Sequence, residues 1–186
     1  MNLDQIKQCS EFALRGHKEY EKLNELYSFL FNVVFDKKEF EGGCHLISSI
    51  SHVLLKEMGI ENELCIGNLH HYEAGFFTHS WIEIEGKVFD VACSNPHHVK
   101  GSFPVINDIS LVTRNDSDCL EYKSITDTFD RTGSKLMAMT FNDYMLAKGY
   151  SKNLYDFVMD WGSLFGLHLN KRRLIKKYEN TTRIFK

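Results

Sequence analysis

The clearest hydrophobic rhythm in the chain runs from Leu46 to Met58. Leu46, Ile47, Ile50, Val53, Leu54 and Met58 recur at helical spacing. Gly59 stops the run as a C-terminal glycine cap does, and Gly42-Gly43 breaks the pattern before it. The spacing therefore predicts a helix with Cys44 in its first turn. The period then changes. Leu64 and Ile66 alternate, which predicts a strand over Glu63 to Gly67, with Leu69 at its margin. His70 to Gly75 reads as a loop, and Phe76-Phe77 leads into a second strand from His79 to Ile84. In that strand His79, Trp81 and Glu83 share one face, and Ser80, Ile82 and Ile84 the other. Glu85-Gly86 supplies a two-residue turn, and Lys87 to Ala92 returns as a third strand. With that turn Trp81 faces Asp90, and Asp90 lies one diagonal step from His79 on the same face, about 7–8 Å away at the backbone. A bulged turn would put Asp90 on the opposite face.

Helical patterns flank this centre. Residues 3 to about 36 carry apolar faces, with a break near Gly16, and residues 36–43 form a polar approach to Cys44. Asn95-Pro96 is a turn signal. Phe103 to Thr113 holds one or two edge strands, and residues 114–135, rich in Asp, Ser, Thr and Asn, read as a surface loop. Helices return at Asn142 to Lys148, Leu154 to Leu167 and Lys171 to Tyr178. Helices at both ends of a small antiparallel sheet predict an α+β fold. The expected organisation is one domain over 1–186, with N-terminal helices in 1–40, the core in 41–113 and C-terminal helices in 140–186.

Composition narrows the function. A chain of 186 residues with 43% hydrophobic and 25% charged residues can bury a sizeable core. A net charge of -3 argues against whole-chain nucleic-acid binding. The five cysteines, at positions 9, 44, 65, 93 and 119, are scattered, without CxxC spacing. Reduced thiols and a cytoplasmic location are expected, with export by a route that uses no signal peptide left open. The N-terminus has no signal-peptide core, and no apolar run is long enough to predict a membrane span.

The candidate chemistry centres on Cys44. The thiolate is the attacking species, and a helix N-terminus and a neighbouring imidazolium both lower a thiol pKa from about 8.5. First-turn N–H groups also suit an oxyanion. His79 is the candidate base and Asp90 the carboxylate that would orient it. The competing reading makes Cys44 plain core; the histidine and aspartate strands shift the balance toward a nucleophile. Cys9, Cys65, Cys93 and Cys119 have no matching context and read as core. His45 and His52 lie on the Cys44 helix and read as exposed or core-satisfied. His70-His71, His79, Cys93 and His97-His98 fall within thirty residues, but no HxxxH or CxxC pair appears, so neither a metal nor a cofactor is expected. Trp81, on the face of His79, could wall a substrate cleft or simply pack in the core. Glu83 reads as a solvated strand end. The basic run Lys171 to Lys177 reads as a solvated helix face with Leu174 and Ile175 docked inward, in preference to an acidic partner, a membrane surface or RNA.

The ordered set Cys44, Gly59-Ile60, His79-Ser80-Trp81 and Asp90 resembles the core of the transglutaminase-like superfamily, the papain-like branch that includes bacterial transglutaminase-like proteases. The resemblance covers Gly42 to Val91. It implies a papain-like fold with Cys44 as nucleophile, His79 as general base and acid, and Asp90 as orienting carboxylate. It further implies a protein or peptide substrate attacked at an amide bond, by protease, glutamine deamidase or transglutaminase chemistry. Glu61-Asn62-Glu63 stands where many members carry Pro-Ala-Arg, and Asp90-Val91-Ala92 where many carry Asp-Pro. The Gly-Gly-Cys and Asp-Val pieces also look like arylamine N-acetyltransferases, which makes a related acyl transferase the alternative. A binding module that kept the fold and lost the chemistry is another.

Overall fold

The computed structural model describes residues 2–35, 40, 43–71, 75–94, 104–111, 121–122, 131–149 and 152–186. Among these the chain is α+β. Helices α1 (Leu3–Leu14) and α2 (Tyr20–Val34) precede the central helix α3 (Cys44–Glu57). Strands β1 (Glu63–His71), β2 (Gly75–Ile84) and β3 (Lys87–Asp90) follow, then the short β4 (Val105–Ile106) and β5 (Ile109–Ser110). Helices α4 (Arg131–Ala138), α5 (Phe141–Lys148), α6 (Leu154–Leu164) and α7 (Lys171–Tyr178) lead to β6 (Ile184–Phe185). The six strands form one sheet in the order β5-β4-β3-β2-β1-β6. Its pairs are antiparallel except that β6 runs parallel to β1 at the edge. No helix of the described residues is long and apolar enough to cross a membrane.

Local chemistry explains the boundaries. Asn2 and Gln5 form a capping box that starts α1, and Thr140 with Asp143 starts α5. Asn153 and Asn170 cap α6 and α7. Helix α3 starts on Gly43, which offers no side-chain cap. It ends where Gly59 adopts φ 80° and the Ile60 N–H donates to the Leu55 carbonyl at 2.8 Å. Glu85 and Gly86 both take positive φ, so β2 and β3 join by a two-residue turn with Ile84 opposite Lys87. That turn preserves the alternation read from the sequence.

The sheet separates two apolar clusters. Leu64, Ile66, Ile82, Ile84 and Phe89 join the large core, where every residue of α3 from His45 to Leu55 is buried. Cys65, Leu69, Trp81, Val88, Cys93 and Val105 form a smaller cluster, with Phe77 and Tyr122 packed against it. Successive residues of β2 alternate between the two, as the pleat requires.

Several expectations need correction. His70 and His71 are strand residues: β1 pairs with β2 through His71 opposite Gly75, and the His70 ring packs on Phe76 at 4.7 Å. Helix α4 occupies part of the expected surface loop, because Leu136 reaches the core. Helix α6 ends at Leu164 rather than Leu167, where Gly166 turns the chain at φ 68°. The parallel strand β6 was not foreseen. Glu83 is buried rather than solvated, accepts from the Trp81 indole at 3.1 Å and lies 3.4 Å from Lys186 Nζ. Helix α7 does dock Leu174, and Arg173, Lys177 and Tyr178 all close on the buried Glu57 carboxylate. The Asn95-Pro96 turn, His97-His98 and Cys119 lie outside the described residues.

Candidate active site

Cys44 is the first residue of α3 and is half-buried. The Gly43 carbonyl accepts the Ile47 N–H at 2.9 Å, the first intrahelical bond. Gly43 has no side chain to cap the helix, so no N-cap side chain competes for the first-turn N–H groups beside the thiol. A Cβ at Gly43 would sit 3.0 Å from the Phe40 carbonyl oxygen, a tight contact that a glycine avoids.

Two imidazoles flank the sulfur. Burial opposes ionisation of Cys44, but the charges of His45 and His79, with hydrogen bonding from both rings, hold the thiol well below its ordinary value. His45 is itself fixed, its Nδ1 2.7 Å from Ser80 Oγ on β2. Ser48 Oγ donates to the Ser80 carbonyl at 2.7 Å, so α3 is pinned to the histidine strand one residue from His79.

His79 Nε2 lies 2.7 Å from Asp90 Oδ2, which leaves Nδ1 as the nitrogen available to Cys44. Both residues are buried. Burial disfavours the imidazolium, yet Cys93, Asp90 and Cys44 together raise the His79 pKa well above its ordinary value. Cys93 is pushed up to about 12, chiefly by burial and then by Asp90, so it is a neutral thiol at physiological pH. The negative charges acting on His79 there are accordingly Asp90 and Cys44. Asp90 stays below the usual carboxylate range: burial works against its charge, and the His79 charge and hydrogen bond, Tyr122 and Cys93 outweigh it. Tyr122 donates to Asp90 Oδ2 at 2.6 Å, and the Ala92 N–H donates to Oδ1 at 2.9 Å.

The structure thus brings Cys44, His79 and Asp90 into one cluster. Trp81 takes a different place from a cleft wall. It is fully buried behind His79, ring planes 9° apart at 6.5 Å, with Tyr122 edge-on at 5.3 Å. It backs the histidine and offers no surface to a substrate.

Four neighbours were missed from sequence. His45 was read as exposed or core-satisfied, and Cys93 as core packing, although Cys93 Sγ lies 3.3 Å from His79 Nε2. Their adjacency to Cys44 and to Asp90 was the available signal. Tyr122 and Arg183 gave none, because the fold brings them from distant segments. Arg183 is buried, its guanidinium bonded to the carbonyls of Leu136 and Met139 and to Ser49 Oγ, and it lies 5.2 Å over the Tyr144 ring. Tyr144 in turn packs edge-on against His45 at 5.7 Å. Burial lowers the Arg183 pKa, while Tyr144 and Cys44 oppose that shift.

Comparison with protein-family models, curated proteins and solved structures finds no match to this chain. The chemistry must be read from the site. A low-pKa thiol beside an imidazolium held by a carboxylate can attack an electrophilic carbon and return a proton to a leaving group.

Proposed function

We propose that the protein is a cysteine-dependent acyl-transfer enzyme acting on an amide bond, with hydrolysis as the overall reaction. Cys44 Sγ attacks the carbonyl carbon, and the first-turn N–H groups of α3 stabilise the oxyanion. His79 gives its proton to the departing amine, leaving a thioester on Cys44. His79 then takes a proton from water, which attacks the thioester and frees the acid and the thiol. Asp90 holds the ring in the orientation that makes both transfers possible.

The observation that carries this reading is the convergence of the Cys44 thiol, the His79 ring and the Asp90 carboxylate, with Asp90 2.7 Å from His79. The helix-start cysteine, the His-x-Trp strand and the aspartate on the next strand support a transglutaminase-like core and a protein or peptide substrate. That Cys9, Cys44 and Cys93 form no disulfide among the described residues supports a reducing, cytoplasmic setting.

Mild alkylation at neutral pH, followed by peptide mass spectrometry, tests the reading. Cys44 should be labelled far faster than the other four thiols, and His79→Ala should remove the advantage. Equal rates, or an advantage that survives the substitution, would refute it.

A further inference from the structure

Cys93 is a buried thiol that the proposed reaction does not use, yet it touches the catalytic histidine. Sγ lies 3.3 Å from His79 Nε2, and the donor atoms of His79, Asp90 and Cys93 all fall within 4.8 Å of one another. The three residues come from β2, the end of β3 and the short 3-10 turn Ala92–Ser94. Sequence spacing could not reveal them as a set. One nitrogen, one carboxylate oxygen and one sulfur form a donor set suited to zinc.

We propose that His79 Nε2, Asp90 Oδ2 and Cys93 Sγ form a zinc-class metal site whose occupation switches off the thiol chemistry at Cys44. This rests on the acyl-transfer reading for its consequence but not for the binding itself. Tetrahedral zinc with bonds of about 2.0–2.3 Å holds its donors roughly 3.3–3.6 Å apart. The sulfur–nitrogen separation, 3.3 Å against roughly 3.5 Å on zinc, opens slightly, and Sγ, which also lies 4.0 Å from Nδ1, swings toward the Nε2 edge of the ring. The 2.7 Å nitrogen–oxygen separation is a hydrogen bond, and it opens by roughly 0.6 Å when the metal replaces the proton. Binding releases two protons to solvent, one from the Cys93 thiol and one from His79 Nε2. The outer shell is in place: Tyr122 donates to Asp90 Oδ2, and backbone N–H groups of Ala92 and Cys93 hold Oδ1. With the metal on Nε2, the ring's remaining N–H is too weak an acid to protonate a leaving amine, and catalysis stops. Among the described residues a second cluster, Glu63, Cys65 and Glu83, already holds Lys186 Nζ, 2.9 Å from Glu63 and 3.4 Å from Glu83.

Cobalt(II) titration of the full chain tests the site directly, because thiolate-to-cobalt charge transfer absorbs in the near ultraviolet. One equivalent should bind with that band in wild type and in Cys44→Ala. The band should be lost in Cys93→Ala, and Tyr122→Phe should weaken binding about 10–100-fold. Added zinc should bleach the band and slow alkylation of Cys44 in wild type but not in Cys93→Ala. Circular dichroism confirms that each variant is folded. A missing band in wild type, or one that survives Cys93→Ala, overturns the proposal. A band that behaves as expected alongside an unreactive Cys44 would retain the metal site and reject the acyl-transfer reading.

Discussion

Replacing Asp90 with asparagine isolates the charge that sustains the ion pair. The two side chains have nearly the same shape, and the asparagine oxygen can still accept the Ala92 N–H that Oδ1 accepts at 2.9 Å. Its NH2 group would then point at His79 Nε2 and Tyr122, where Oδ2 now accepts at 2.7 and 2.6 Å. Nε2 must become an acceptor, so the ring proton moves to Nδ1, the nitrogen that should serve Cys44. A hydrogen bond to a charged group contributes about 1.5–3 kcal/mol. Its loss takes that stabilisation from the imidazolium and so lowers the His79 pKa. The thiolate thereby loses part of the positive charge that keeps it ionised, so the Cys44 pKa rises. Ultraviolet absorbance of the thiolate against pH, with Cys44→Ala as the blank, measures this. The wild-type step should lie well below that of a free thiol, and the Asp90→Asn step should shift upward. An unchanged step would refute the reasoning, because Asp90 would then not act on the thiol through His79.

Other consequences follow from the same structure. The pH dependence of Cys44 alkylation in wild type should rise as the thiol ionises below the ordinary thiol range and stay level through neutrality, since its pKa is lowered and that of His79 raised. A rise delayed to the ordinary thiol range would contradict this. His52 is buried against Asn62, and its pKa is lowered to about 4, mainly by burial. Its folded pKa lies below the unfolded value of about 6.5, so this contribution is present above pH 6.5 and is lost as pH falls toward 4, by about 3 kcal/mol in all. Urea unfolding of wild type and His52→Gln across that range should show a steeper acid loss in wild type; parallel curves would rule it out. Gly67→Ala places a Cβ 2.7 Å from the Lys186 carbonyl oxygen and 2.8 Å from Trp81 Cη2. The first is a backbone atom and the second belongs to a fully buried ring, so a loss of about 1–3 kcal/mol is expected by thermal unfolding, with β6 displaced.

The parts of the fold that were legible in the sequence are those set by local rules. The helix from Cys44 was marked by apolar spacing and ended by Gly59 in a positive-φ cap. The relation of Asp90 to His79 was legible because Glu85-Gly86 admits a two-residue turn, and the turn sets the register. What was hidden depends on long-range packing. Tyr122 reaches Asp90 from a polar stretch with no periodicity, and Arg183 reaches Ser49 from the far end of the chain. Strand β6 is two residues long and too short to show alternation. Glu83 was misread as solvated, and for Trp81 the packing alternative is the one the burial bears out: alternation gave their shared face correctly but could not show that Tyr122 and Lys186 cover it. Cys93 was taken for packing because neutral buried cysteines are common, and its contact with His79 exists only once the 3-10 turn after β3 folds back.

The central claim is that Cys44 accepts an acyl group and that His79 drives its release. Incubation with an activated acetyl ester, followed by time-resolved intact-mass and peptide analysis, measures both steps. Wild type should carry a single transient acetyl group on Cys44, and His79→Ala should acquire it slowly and keep it. Acetylation spread evenly over the cysteines, or an adduct on wild-type Cys44 that never clears, would contradict the account.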